Sequence, residues 1–200
     1  MKVDELKVRK LALTDDLQRV AGCIYDTDPY IFPYLYDGNE ELGKEVIINM
    51  VKGDTVYNYR NIWVAELDGE IAGIIVALRA PFKVDMAQML KAFIDAGAVV
   101  DERFAKTYKE YYKLMENEPD GIYIANVCVD RSFRGRGIAK KMLEEFLSPD
   151  ETYNLETVKA NESAFRLYTG AGFEIECEYL GFTDVPCYRM KKTAKKHEGR

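Results

Sequence analysis

Apolar and polar residues alternate from Leu6 to Leu13, the rhythm of a strand with one buried face. Thr14-Asp15-Asp16 then offers capping oxygens and first-turn acids, and Leu17, Val20, Ala21 and Ile24 follow at helical spacing. A second helix is predicted from about Glu40 to Val51. Ile62 to Leu67 and Ile71 to Leu78 are β-type runs joined around Asp68-Gly69, a strong hairpin signal. Ile122 to Val129 is another β run. Gly137 to Leu147 puts Ile138, Met142, Leu143 and Phe146 on one helical face, and Pro149 ends it. A strand over Tyr153 to Val158 and a helix from Glu162 to Ala171, closed by Gly172, come next. Phe173 to Gly181 and Pro186 to Met190 read as a closing pair of strands. Strands mixed with crossover helices predict an α/β or α+β domain on a mixed sheet.

One stretch exceeds what this order needs. Roughly 40 residues separate Leu78 from Ile122, far beyond an ordinary connection. Met86, Leu90, Phe93 and Ile94, then Phe104, Tyr108, Tyr111, Tyr112 and Met115, recur at helical spacing. Two inserted helices split near Gly97 are therefore expected over about 81–120. They could serve as a structural addition, a dimer contact or a substrate lid. With no repeat or low-complexity linker, residues 1–190 read as one domain and 191–200 as a basic tail.

Composition narrows the chemistry. The 200-residue chain is 48% hydrophobic and 31% charged, which predicts a globular rather than a disordered protein. No stretch approaches the roughly 20 apolar residues that span a bilayer, and Met1 to Glu5 lacks the apolar run of a secretory signal. The expected location is the cytoplasm, with no membrane partner. Cys23, Cys128, Cys177 and Cys187 form no Cys-x-x-Cys pair, so free, mostly buried thiols are expected. His197 is the sole histidine, which argues against His-based metal sites and Ser-His or Cys-His nucleophiles. No metal is expected. A net charge of -6 argues against broad nucleic-acid binding. Lys191, Lys192, Lys195, Lys196 and Arg200 are the local exception, read first as a solvated tail.

The segment from Val129 to Ala139 carries the most chemistry. A strand stops, and a helix begins near Gly137, where unpaired N–H groups and the helix dipole attract phosphate. Gly135 and Gly137 permit a close backbone approach, and Arg134 and Arg136 add charge at the same mouth. A plain strand-to-helix turn would use glycine too, and the spacing is neither a Walker loop nor the three-glycine dinucleotide fingerprint.

Arg134-x-x-Gly137-x-Ala139 resembles the Gln/Arg-x-x-Gly-x-Gly/Ala signature of the GNAT family of N-acetyltransferases. Asn161-Glu-Ser-Ala-Phe-Arg-Leu-Tyr168-Thr-Gly-Ala-Gly172-Phe173 is similar to a second segment of that family, Asn-x-x-Ala-x-x-Leu-Tyr-x-x-x-Gly-Phe. The resemblance implies a mixed, mostly antiparallel sheet flanked by helices, and acetyl-coenzyme A as donor. It implies that Val127, Cys128 and Val129 present backbone groups to the pantetheine arm. The amides of Arg134, Gly135, Arg136, Gly137, Ile138 and Ala139 would hold the pyrophosphate. Asn161 would contact the cofactor arm, and it could equally cap the helix that follows.

The implied reaction is direct attack of a primary amine on the thioester in a ternary complex. Tyr168 matches the family tyrosine that protonates the departing thiolate; otherwise it is a tyrosine packed between helix and sheet. Many relatives carry an acid where this chain has Asn126, which can position water or substrate but cannot accept a proton. Glu66 is one candidate base, and a residue of the aromatic-acidic segment or a chain of waters are others. Asp26 to Asp37 brings Tyr30, Phe32, Tyr34 and Tyr36 together with three aspartates, and its two prolines predict an ordered loop. That loop would border the acceptor side. Its aromatic faces and carboxylates suit a cationic amine of a small molecule or peptide, or else it packs on the core. The alternative function is an acyl-coenzyme A sensor or scaffold with little catalysis. A homodimer is left open.

Overall fold

Caps and apolar periodicity place the elements close to where the pattern predicts them. In the computed structural model, which describes residues 5–115, 120–181 and 184–195 (of 110–115 the backbone alone), seven strands and seven α-helices alternate. They are β1 (Lys7–Lys10), α1 (Leu17–Tyr25), α2 (Ile31–Leu35), α3 (Glu40–Lys52), β2 (Ile62–Leu67) and β3 (Glu70–Arg79). Then come α4 (Met86–Asp95), α5 (Glu102–Met115), β4 (Ile122–Val129), α6 (Ile138–Phe146), β5 (Tyr153–Val158), α7 (Glu162–Gly170), β6 (Glu174–Leu180) and β7 (Pro186–Lys192). Asp16 caps α1 by accepting from the Arg19 amide at 3.0 Å, and Asn39 caps α3 by accepting from Leu42 at 3.1 Å. Asp68 and Gly69 both take positive φ, 55° and 79°, so β2 and β3 join in a two-residue mirror-image turn.

The strands form one sheet in the order β1-β2-β3-β4-β5-β7-β6. Every neighbouring pair is antiparallel except β4 and β5, which run parallel and pair only over Ile122–Ile124 against Tyr153–Leu155. Beyond Ile124 the two strands part, and β5 continues paired with β7 through Val158. The sheet thus opens a wedge at its centre.

Two apolar clusters cover the two faces. One joins α1 to α5 through residues such as Ile24, Ile47, Ile74 and Phe93, and the other joins α6 and α7 through Ile138, Met142, Leu155 and Phe173. Fully buried side chains such as Ile47 and Ile74 each contribute about 1.5–3 kcal/mol by burial.

The inserted helices form as expected, with the turn at Gly97. Their inner faces join an aromatic chain: Phe93 lies 5.5 Å from Tyr36, 4.8 Å from Phe104 and 6.1 Å from Tyr108. Tyr25, Phe32 and Tyr36 stack beneath it. The insertion is therefore packed into the domain.

Two expectations need correction. The segment expected as a loop contains the short helix α2, with Pro33 inside it. Pro33 sits in the first turn, where its missing N–H would have had no intrahelical partner. And β7 runs through Lys192, so Lys191 and Lys192 belong to the sheet rather than to a tail; Lys191 pairs with Asp120 at 2.7 Å. Lys196, His197 and Arg200 lie outside the described residues, as do the side chains of Tyr111, Tyr112 and Met115.

Candidate active site

The wedge between β4 and β5 opens into a cleft of about 980 Å³. Ala125 to Val129 form one wall and Glu156 to Val158 the other. Gly135, Gly137, Ile138 and Ala139 close one end, Asn161 and Tyr168 lie on α7's side, and Asp26 to Phe32 complete the lining.

The glycine end of the cleft is built from backbone. Gly135 and Gly137 both hold φ near 77°, a left-handed conformation that other residues adopt only with strain. A Cβ added at either glycine would meet no atom within 4 Å, so the space above the loop is open. Gly137 is the N-cap of α6 and supplies no capping side chain, which leaves the first-turn amides for a ligand. An open loop of free amides at a helix start has the form that would fit a pyrophosphate such as that of coenzyme A.

The arginines do less than the motif suggests. Arg134 donates through Nε to the Val129 carbonyl at 3.0 Å and pairs with Asp26 at 2.8 Å. Arg131 also pairs with Asp26. Burial opposes a charge on Asp26, but the two guanidinium groups outweigh it and hold the carboxyl below the usual range. Arg136 turns back along the loop, donating to the Ser132 carbonyl at 3.0 Å, and its side chain is not part of the cleft wall.

Asn161 caps α7, accepting from the Ala164 amide at 3.1 Å, and it also lines the cleft. Tyr168 is buried against Phe173, with ring centroids 5.9 Å apart. Burial, and then the nearby Cys128, push its phenol up to about 12, so it stays protonated at neutral pH. Cys128 shares a hydrogen bond with Cys23 and faces the Arg134 guanidinium, and these lower its thiol. That hydrogen bond and burial raise the thiol of Cys23.

Asn126 owes its position to a bulge. Val76 pairs with Asn126 while Ala77 pairs with Ile124, so Ala125 is an extra residue in β4. Simple alternation would send Asn126 to the same face as Ile124. The bulge instead turns it toward Thr27, to which its amide nitrogen donates at 2.7 Å. Thr27 spends its own hydroxyl hydrogen on the Ile24 carbonyl at 2.6 Å, so the contact requires the nitrogen of Asn126 there. Its Oδ1 is buried without a hydrogen-bond partner.

The remaining expected residues divide. Tyr30 and Phe32 line the cleft, but Tyr34 does not. Glu66 is far from it: it lies on β2, two strands from β4, and its carboxylate pairs with Arg9 at 2.7 Å. Asp28, one of the three aspartates of the aromatic segment, is on the cleft wall; pattern reasoning missed Tyr57 and Thr107, which are there too. No local motif marks them. Among the described residues no group of three or more His, Cys, Asp or Glu side chains could hold a metal, and no helix is long and apolar enough to cross a membrane.

A family model described as the acetyltransferase (GNAT) family matches residues 33–173, more than half of the chain. The chain belongs to the GNAT family. Its fold agrees with solved members of this kind. An N-acetyltransferase from Staphylococcus aureus Mu50 matches at 20% identity and TM-score 0.64, over 93% of this chain and 100% of that one. A Corynebacterium glutamicum protein described as histone acetyltransferase HPA2 and related acetyltransferase matches at 17% identity and TM-score 0.69, over 97% and 99%. These likenesses establish the GNAT fold. An uncharacterized protein of Mycobacterium leprae is 26% identical over 148 residues, 61% of this chain. The match spans 41% of that relative's length.

Proposed function

We propose that the chain is an acetyl-coenzyme A-dependent N-acetyltransferase in which a primary amine attacks the thioester directly. The observation that carries this reading is the convergence on one cleft of three groups from separate segments. They are the open glycine cradle before α6, the unpaired edge of β4 beyond Ile124, and the buried, protonated phenol of Tyr168.

The amides of residues 134–139 would hold the pyrophosphate, and the edge of β4 at Val127 to Val129 would align the pantetheine arm. Acetyl-coenzyme A, when bound, supplies the thioester carbonyl that is attacked. Backbone N–H groups near Val129 would meet the charge developing on that carbonyl oxygen. Tyr168 would pass its phenolic proton to the departing sulfur, a transfer suited to a neutral phenol in a dry setting. Asn126 accepts no proton at working pH and Glu66 is outside the cleft, so the proton on nitrogen would leave to water or to a carboxylate of the aromatic-acidic segment. Asn161 would both cap α7 and face the arm of the donor.

The test is release of coenzyme A from acetyl-coenzyme A over a panel of small amines and free peptide N-termini, with the acetylated product identified by mass. Amine-dependent release supports the transferase. Tight coenzyme A binding with no release for any amine would overturn it and favour a sensor module.

A further inference from the structure

We infer that the acceptor end of the cleft, walled by the inserted helices, is a pocket for a small primary amine with an aromatic or otherwise apolar body, its ammonium group held by Asp28, Asn126 and Tyr57. The inference rests on the acetyl-transfer reading, for it assigns the acceptor of that reaction.

Two acceptor atoms at this end lack a donor. Asp28 uses one carboxylate oxygen, Oδ1, to accept from the amides of Tyr30 at 2.9 Å and Ile31 at 2.7 Å. Its other oxygen makes no such bond, and among the described residues no cation pairs with it. Loss of hydration raises its carboxyl, with nothing cationic to offset the burial. Asp26, two residues earlier, is neutralised by two arginines. Asn126 adds a buried, unpartnered Oδ1, whose identity as oxygen is set by the Thr27 contact. Tyr57 is held protonated by burial and by the charge of Asp28, and it shares a hydrogen bond with the amide of Asn126.

Two acceptors, the second oxygen of Asp28 and Oδ1 of Asn126, thus line one cleft without a donor. An ammonium group brings three donors and no acceptor, and its charge matches the bare carboxylate. A neutral or anionic ligand head would leave Asp28 unpaired and buried.

The body of the ligand is read from the other wall. Phe32, Leu35, Val56, Met89 and Tyr108 line the same cleft, an apolar and aromatic surface. Met89 and Tyr108 come from the inserted α4 and α5, so the insertion shapes the acceptor end. Thr107 supplies the second, independent sign of a ligand. It is 3% exposed and lines the cleft, yet its Oγ1 has no hydrogen-bond partner. A helical threonine commonly bonds back to the carbonyl four residues earlier, and this one does not. Its hydroxyl fits a ligand whose body carries a hydrogen-bonding group.

Calorimetry on the full chain loaded with coenzyme A tests this, with 2-phenylethylamine, tyramine and a tetrapeptide with a free N-terminus as probes. Both aromatic amines are expected to bind at least about tenfold more tightly than the peptide, the scale of burying a fitted apolar body, since all three probes bring an amine. Asp28→Asn keeps the oxygen that accepts from the Tyr30 and Ile31 amides and removes the charge; it is expected to weaken both amines by about tenfold and leave coenzyme A affinity unchanged. Thr107→Val, nearly isosteric, is expected to weaken tyramine by about threefold and 2-phenylethylamine not at all. The pocket is overturned if the peptide binds as tightly as the amines, if neither amine binds, or if Asp28→Asn leaves both unchanged. The two readings fail separately. Aromatic amines that bind but are never acetylated sink the transferase and uphold the pocket. Acetylated peptides alongside unbound aromatic amines do the reverse.

Discussion

The two ends of the cleft are built on opposite plans. At the proposed donor end the groups on offer are backbone amides released by glycine, from one continuous loop between β4 and α6. At the acceptor end they are side chains from four separate segments: Asp28 before α2, Tyr57 after α3, Thr107 on α5 and Asn126 on β4. Backbone recognition needs a spacing of small residues, which is local and visible in sequence. Side-chain recognition needs only that the fold bring chosen residues together. The first plan holds a donor common to a family, and the second can be redrawn for each acceptor.

The comparison can be broken by experiment, beginning with the largest effect. Gly137→Val adds side-chain bulk to the open cradle at a left-handed position. Coenzyme A affinity is expected to fall on the order of hundredfold by calorimetry, with a strain cost of about 1–2 kcal/mol. Gly38→Val, also left-handed and open but outside the cleft, serves as control. It should show the strain in its melting temperature and leave coenzyme A affinity intact. Equal loss at both sites would mean that the cradle holds nothing.

Tyr168→Phe is next. Turnover is expected to fall by about tenfold or more, with coenzyme A affinity unchanged. Near-normal turnover at saturating substrates would reduce Tyr168 to a packing residue. Asn161→Ala removes a helix cap, and about 1 kcal/mol of stability should go with it in a denaturant titration. An accompanying rise in the KM for acetyl-coenzyme A separates its second role from the cap.

The smallest effect runs in the opposite direction. Asp28 has a raised folded pKa, so above that pKa the ionised form is disfavoured by folding, and stability declines as pH rises through it. Asp28→Asn removes the charge and should raise the melting temperature at pH 7 by on the order of 2 °C. The gain should vanish below the unfolded carboxyl's pKa near 3.9, where both chains are neutral at this position. A variant less stable at pH 7 would show that Asp28 is a structural charge, not one kept for a ligand.

How much of this was legible in the sequence follows from the range of each interaction. The strands β4 and β5 and the hairpin at Asp68-Gly69 were readable because their signals lie within a few residues. So was the glycine loop before α6. The bulge at Ala125 has no local signature, so the aim of Asn126 could not be read. Glu66 was a reasonable acid on a strand, but alternation does not say which strand borders the cleft, and β3 lies between. The aromatic segment offered two readings, and it divides between them. Tyr36 packs in the core, Tyr30 and Phe32 line the cleft, and the partner that decides this, Phe93, lies far along the chain.

The parallel pairing of β4 with β5 covers three residues on each strand and then stops. The sheet is therefore two leaves bound along a short spine, and beyond it two main-chain margins face each other across a gap. Peptide groups on such margins must find partners or stay wet. A guest that lies along the gap with amides of its own acts as a missing strand, completing the sheet that the chain alone leaves open. Folding and donor capture would then draw on the same hydrogen-bonding positions.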